Sequence, residues 1–379
     1  MYLSILGEIG VAIGGKPSTI IDYVKSEYGA FERPDLDPGA VDIEIEFIDD
    51  RSSPDDCVHI RAPISYDDRG VFLHDPEYHV FRVDFAAAAS GKWRATCDVA
   101  FNPHFFAIIM EYMTHFQLLR RGSVFCHSSA FRLGGKGVLC PAWRNVGKTN
   151  LLLQFLQNGA EYIADDWSVV QSDGSFRCLP KRLNLLYYNF DQFPEMLDSV
   201  PDDFAALVRF VRRAKRGEFD LNQETLEVME GQARMRISPY ELYDQVMDTT
   251  PKPIDHVLLL QRIAETDRPV AIEEIDHETL VTSLASILEF EQSHFHLAYS
   301  VFRARTGIRV DLLEDARGAC ERVMSKAFAD IGTPYRVLIP SQRGAREAFA
   351  KINALLTEGR EDLADDRYRA PANGLSTAA

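Results

Sequence analysis

The sequence has no run near the ~18 consecutive apolar residues of a membrane-crossing helix, and no basic segment leading into an apolar one. Neither a spanning helix nor a secretory signal is expected, and the expected location is the cytoplasm. Basic charge is scarce too: 41 Lys and Arg stand against 57 Asp and Glu, a net charge of −16. That balance speaks against a nucleic-acid surface, which needs clustered cations, and against anionic lipid. The six cysteines (57, 97, 126, 140, 178 and 320) include no CxxC and no metal-ligand spacing, so reduced, packed thiols are expected. Internal repeats and low-complexity linkers are missing as well. What is present is an ordinary composition, 46% hydrophobic and 26% charged, over 379 residues, enough for two domains.

One stretch, His127 to Trp167, concentrates the chemistry. Phe131-Arg132-Leu133 and Gly137-Val138-Leu139-Cys140 read as short strands around Gly134-Gly135, a pair suited to a tight turn with positive φ. The second strand empties into Ala142-Trp143-Arg144-Asn145-Val146-Gly147-Lys148-Thr149, which is GxxxxGK[ST] with Ala at the first position. Asn150 completes the candidate nucleotide-binding set. Leu151, Leu152, Phe155 and Leu156 then form the apolar face of a helix, stopped by Gly159. A polyphosphate needs backbone N–H groups converging from a loop and a helix N-terminus. In that frame Lys148 reaches the β- and γ-phosphates of ATP, and the Thr149 hydroxyl takes a Mg²⁺ position. Asn145 stands where many such loops carry Gly, and Asn tolerates left-handed backbone better than most residues. At Ala142 the Cβ is expected either to crowd the turn or, with φ negative, to pack in a loop adapted to it.

Asp165-Asp166 close the apolar run Tyr162-Ile163-Ala164, as at the C-terminal end of a strand that delivers acids to a site. One carboxylate can hold Mg²⁺ while the other takes a proton from an attacking hydroxyl. A histidine beside a strand is more often structural than catalytic, so His127 alone carries no assignment. Pro180-Lys181-Arg182-Leu183 brings two cations near, and Arg182 is the candidate to stabilise a transferring phosphoryl group, unless it is a solvated loop residue.

Together, His127, the glycine-turned hairpin, Gly147-Lys148-Thr149, Gly159 and Ala164-Asp165-Asp166 resemble the catalytic domain of HPr kinase/phosphorylase and related bacterial serine kinases. The nucleotide site of that group is in turn similar to that of ATP-dependent phosphoenolpyruvate carboxykinases. The resemblance covers about 45 residues. It implies Asp165 as the base, Asp166 as a metal-site residue beside Thr149, and His127 near the transferring phosphoryl group. The segment by which HPr kinases hold their protein substrate has no clear copy here.

Around this core, residues 1–100 read as a β-rich domain without a chemical constellation. Its signature is the strict alternation of Val41 to Phe47, continued by Val58-His59-Ile60, Val71-Phe72-Leu73 and Val80 to Phe85. His74 and His79 are weak metal candidates. Asn102-Pro103 caps a helix over 101–122 whose stripe of Phe105, Phe106, Ile109, Tyr112, Met113 and Phe116 reads as core. This helix is expected to link the first domain to a catalytic domain over 123–357. Asp173-Gly174 reads as a hairpin turn, 201–248 as helices, and Ile254 to Leu260 and Tyr335 to Pro340 as strands. Helices are expected near 278–303 and 342–357, and a disordered tail over 358–379. The cluster Arg209, Arg212, Arg213, Lys215 and Arg216 reads as a solvated helix face rather than an acidic-peptide site.

The expected fold is α/β, or α+β overall: a P-loop core of the HPr kinase kind, an N-terminal β-rich domain and added C-terminal helices. The expected function is transfer of the γ-phosphoryl group of Mg-ATP to a hydroxyl of a peptide, a protein or a small molecule. A phosphorylase or hydrolase acting on a phosphoester, and a nucleotide-binding regulatory module without turnover, remain alternatives. Homo-oligomerisation is left open.

Overall fold

Along Val41–Ile48, Ile43, Ile45 and Phe47 point inward while Glu44 and Glu46 face solvent, as a period-two pattern requires. The computed structural model describes residues 1–15, 19–49, 57–179, 181–265, 268–341 and 345–358. Among these, strands β1 (Tyr2–Ile5), β2 (Ile9–Gly14), β3 (Val41–Ile48), β4 (Val58–Arg61), β5 (Ile64–Asp67), β6 (Gly70–His74), β7 (Val80–Asp84) and β8 (Trp93–Asp98) form one mixed sheet. Their order is β1-β2-β3-β8-β7-β6-β5-β4. The helix Thr19–Tyr28 belongs to this region and buries Ile20, Val24, Glu27 and Tyr28.

A second mixed sheet holds β9 (Ser123–Leu133), β10 (Lys136–Pro141), β11 (Glu161–Ala164), β12 (Trp167–Gln171) and β13 (Ser175–Cys178). With β14 (Leu183–Leu186) and β15 (Arg234–Ile237) forming a separate two-stranded ribbon, it is completed by β16 (Lys252–Pro253), β17 (His256–Ile263), β18 (Ala271–Glu274) and β19 (Tyr335–Pro340). The order is β16-β13-β12-β9-β10-β17-β19-β18, with β11 also on β9. The fold is thus mixed α/β. No described helix is long and apolar enough to cross a membrane.

Between the sheets runs the helix Pro103–Arg120. Asn102 caps it by accepting hydrogen bonds from the N–H groups of His104 (3.0 Å) and Phe105 (3.3 Å). It packs against β2 and β3 on one side and β9 on the other, so nearly everything from Phe106 to Leu119 is buried. Glu111, His115 and Gln117 are buried with the apolar stripe.

Several sequence expectations change. Residues 201–248 are not wholly helical: after the helices Asp202–Lys215 and Gln223–Gln232, β15 pairs antiparallel with β14. The strand is only 4 residues long, and its neighbour in the ribbon lies some fifty positions upstream, so no local signal announces it. The helical stretch near 278–303 is two helices, His277–Glu291 and Ser293–Thr306, meeting at Gln292. The last helix is Ala345–Glu358; residues 342–344 and the expected tail beyond 358 lie outside the described residues. His74 contacts Ser65, and His79 pairs with Asp75 at 3.0 Å, which gives both histidines ordinary partners. On the Asp202–Lys215 helix, Arg212, Arg213 and Lys215 pair with Asp191, Glu218 and Glu230. Cys97, Cys126, Cys140, Cys178 and Cys320 are buried free thiols, and Cys57 is half-buried.

The hairpin β9–β10 turns at Gly134 (φ +57°) and Gly135 (φ +84°), the two left-handed residues of a tight turn. Downstream, Gly137 sits where a Cβ would fall 2.1 Å from the Pro253 carbonyl oxygen and 2.8 Å from the Phe176 ring. Gly137→Ala is therefore expected to destabilise the fold by about 1–3 kcal/mol, the range for overpacking. Urea denaturation of the variant against the wild type measures it.

Candidate active site

β9 is the frame of the site. Ser123 to His127 pair with β12, Ala130 to Arg132 with β11, and Ser128 to Leu133 with β10 on the opposite edge. Asp165-Asp166 fall in the break between β11 and β12. The strand Glu161–Ala164 ends at the acids as expected, and the chain resumes pairing with β9 directly after them. The cause is local, because Asp166 adopts left-handed backbone (φ +71°) and Trp167 N–H closes back on the Asp165 carbonyl at 2.9 Å. The β-bulge lies just upstream, where Tyr162 and Ala164 pair with Phe131 and Ala130, and the left-handed turn after it sets both carboxyl groups in one cleft.

On the other edge of β9, the phosphate-loop sequence leaves β10. Ala142 is buried, bridges to Leu260 in parallel fashion and donates its N–H to the His127 carbonyl at 3.1 Å. It is an extension of the strand with φ outside the left-handed region. Trp143 lies exposed with its ring edge-on to Phe290, centroids 5.3 Å apart. Asn145 (φ +61°) and Gly147 (φ +108°) take the left-handed turns, and Val146 is buried beneath them. The helix Lys148–Gln157 follows and ends at Gly159 (φ +87°). Because Ala142 is packed and extended, Ala142→Gly is expected to loosen the loop and weaken Mg-ATP binding by about 0.5–1 kcal/mol. A calorimetric titration of both proteins checks the sign.

Lys148 is buried, with Nζ donating toward the carbonyls of Ala142 (3.4 Å) and Trp143 (3.2 Å) and toward Nε2 of His127 (3.2 Å). Burial lowers its pKa. The Thr149 hydroxyl donates to Oδ2 of Asp165 at 2.8 Å, and the Asn150 Oδ1 accepts from Asn189 at 2.6 Å. Burial pushes Asp165 up to about 6 despite the Thr149 bond, and its Oδ1 is buried without a hydrogen-bond partner. Asp166 is different. Its side chain is 53% exposed, 2.9 Å from Lys181 and 3.4 Å from His127 Nε2. Lys181 and His127 outweigh the partial desolvation of the cleft and hold it well below the ordinary carboxylate value.

His127 Nδ1 faces Oε1 of Glu291 at 3.6 Å, and Glu291, fully buried, also pairs with Arg144 of the loop. Lys181 bridges Asp166 and Glu111, both at 2.9 Å, and Glu111 accepts from the Tyr28 hydroxyl. Arg182, exposed, lines the same cleft, with its backbone N–H on Glu27 at 3.3 Å. All the sequence-derived site residues therefore gather at one place, Ala142 and Val146 as buried supports and Trp143 at the edge.

Sequence reasoning missed Glu27, Glu111 and Glu291 as site residues, along with Arg234 and Arg236. A signal existed for the three acids. Each occupies the apolar register of its own helix: Glu27 with Ile20 and Val24, Glu111 within the buried Phe106–Leu119 run, and Glu291 with Leu280, Leu284 and Leu288. A carboxylate in a core stripe needs a partner. The N-terminal region also supplies Tyr23, Glu27 and Tyr28 to the cleft, so the expectation that it lacks chemical residues is corrected.

The cleft as a whole sets five carboxylates (Glu27, Glu111, Asp165, Asp166, Glu291) against six cations (Arg144, Lys148, Lys181, Arg182, Arg234, Arg236), but at the loop end Arg144 and Lys148 face Asp165, Asp166 and Glu291. A polyphosphate entering such a set needs added positive charge. The paired oxygens of Thr149 and Asp165, with the orphaned Oδ1, fit a hard divalent cation. Among the described residues no group of three or more His, Cys, Asp or Glu side chains is arranged to hold a metal alone. Mg²⁺ carried in with substrate phosphates needs only one or two protein oxygens. Compared with known families and with curated proteins, the chain finds no match.

Proposed function

We propose that the chain is an ATP-dependent phosphotransferase with an HPr kinase-like P-loop core, passing the γ-phosphoryl group to a hydroxyl. The observation that carries this reading is the join at β9. One edge presents a GKT loop with left-handed Asn145 and Gly147, and the other presents Asp165 and Asp166 in a shared cleft. Neither half alone would specify group transfer.

The loop N–H groups and the N-terminus of the helix Lys148–Gln157 receive the phosphates, and Lys148 exchanges its loop carbonyls for phosphate oxygens. Bound Mg²⁺ would neutralise charge on the phosphates, held through Thr149 and Asp165. The resemblance assigns the base to Asp165 and the cation to Asp166, in line with the raised pKa of Asp165 and the lowered one of Asp166. The hydrogen bond from Thr149 to Asp165 favours the reverse, since a cation held by that pair would itself draw the Asp165 pKa down. In this assignment the acceptor oxygen bonds to the γ-phosphorus and its proton passes to Asp166. The bond from the γ-phosphorus to the bridging oxygen breaks, and ADP leaves with the electron pair. His127 and Lys181 position Asp166, while Arg182 at the cleft wall faces the charge that develops on the phosphoryl group. The buried free thiols suit a reducing compartment, in keeping with a cytoplasmic enzyme.

The bonds from Lys148 to its own loop carbonyls favour a second reading, a nucleotide-binding module without turnover. Incubating the protein with γ-labelled Mg-ATP and small-molecule and protein acceptors decides between them. Label transfer is the expected outcome, and Mg-ATP binding with background consumption across all acceptors would leave the module.

A further inference from the structure

Beyond the phosphate loop, the cleft continues to a wall built from the helix Thr19–Tyr28, the helix Pro103–Arg120 and the ribbon β14–β15. Asp166 connects the two ends through Lys181, which reaches Glu111 and so the Tyr28 hydroxyl. Four cations line this far end: Lys181, Arg182, Arg234 and Arg236. Lys181 is shared between Asp166 and Glu111, and Arg236 is matched by buried Glu27 at 2.8 Å while lying over the Tyr23 ring. Arg182 and Arg234 are left over. Arg234 is steadied by donating Nε–H to Asn184 Oδ1 at 2.8 Å, and among the described residues no carboxylate pairs with either guanidinium. Two uncompensated guanidinium groups in one cleft of a chain with net charge −16 mark a local field of the opposite sign.

We infer that this end is the acceptor subsite, and that it selects a small alcohol bearing a carboxylate or phosphate group, read by Arg234 and Arg182. The inference rests on the phosphotransferase reading for the word acceptor, while the anion site stands on the guanidinium groups themselves. His104 reports the same field: burial first, then the charges of Arg236, Arg234 and Lys181, push its pKa down to about 4. A guanidinium fork matches both planar carboxylate and phosphate. Size favours a small acceptor over a protein segment. The whole cleft, phosphate-loop end included, holds about 310 Å³, and two helices and the ribbon wall its far end, so the room beside a bound nucleotide suits a small molecule. The hydroxyl of an alcohol anchored there by its anionic group is delivered to Asp166, the carboxylate that joins this end to the phosphate loop.

The test uses the full chain, with D-glycerate, glycerol 3-phosphate and neutral glycerol as probes, followed by calorimetry and by ADP release with Mg-ATP. Saturable binding of an anionic alcohol is expected, with glycerol at least ~10-fold weaker, the scale of one charged hydrogen-bonding partner. Whichever of glycerate and glycerol 3-phosphate binds more tightly identifies the anionic group. Arg234→Gln should weaken that binding ~10-fold or more, with partial rescue by Arg234→Lys and unchanged affinity for Mg-ATP. Arg234 is exposed and held only through Asn184, so the variant is expected to fold, which circular dichroism verifies. Equal binding of glycerol and the anionic alcohols, equal affinities of variant and wild type, or phosphorylation of a serine peptide without binding of any small anion would overturn the proposal. Glycerate or glycerol 3-phosphate binding without Mg-ATP binding would instead remove the phosphotransferase reading and leave the anion site standing.

Discussion

Lys148→Ala is expected to reduce Mg-ATP affinity by ~100-fold or more while leaving the fold intact. The ammonium is the cation that the loop motif places for the β- and γ-phosphates, and charged hydrogen bonds contribute ~1.5–3 kcal/mol each. Its present contacts are exchangeable: two carbonyls of its own loop and one histidine nitrogen. Removing it also removes a desolvated charge whose pKa burial already lowers, so the folded state loses little. Calorimetry for binding and a thermal melt for stability make the measurement. Equal affinities in the two proteins would end the phosphate-loop assignment.

The two carboxylates should separate into different losses. Asp166→Asn is expected to lower phosphoryl transfer by ~10²-fold or more, in the range for general bases, with nucleotide affinity within several-fold of wild type. Asp165→Asn should instead blunt the dependence of nucleotide binding on Mg²⁺, because it alters the oxygen pair that Thr149 completes. Titrating ATP at several Mg²⁺ concentrations, alongside single-turnover transfer, distinguishes the roles. The opposite pattern would restore the assignment that the family resemblance implies. A loss of both activities in both variants would mean that the pair acts as one unit around the cation.

The local parts of this site were legible because their geometry is carried by neighbours in sequence. Gly134-Gly135, Asn145, Gly147 and Gly159 all adopt the left-handed backbone their residue types suggest. The GKT residues open a helix after a strand, as the motif requires. What escaped reading is what tertiary packing supplies. Lys181 and Arg182 could be placed near the site from sequence, but the choice of Lys181 as partner of Asp166 depends on Glu111, 70 residues earlier on another element. Arg234 and Arg236 lie in a strand too short to declare itself, and they reach the cleft only because β15 pairs with β14. The left-handed turn at Asp165-Asp166 was hidden for a different reason. An apolar run followed by two acids looks the same whether the strand stops or bends.

Because a single strand touches both the loop-bearing hairpin and the acid pair, the spacing of the reactive groups is counted in residues along β9. One extra residue between His127 and Ala130 would invert the faces of everything after it, carrying loop and acids out of phase together. An extra residue at Gly134-Gly135 or at Asp173-Gly174 falls outside those pairings and leaves the count untouched. Tolerance to insertion in this chain should follow phase along that strand, so an added residue in either turn is absorbed while one inside the paired stretch abolishes the chemistry.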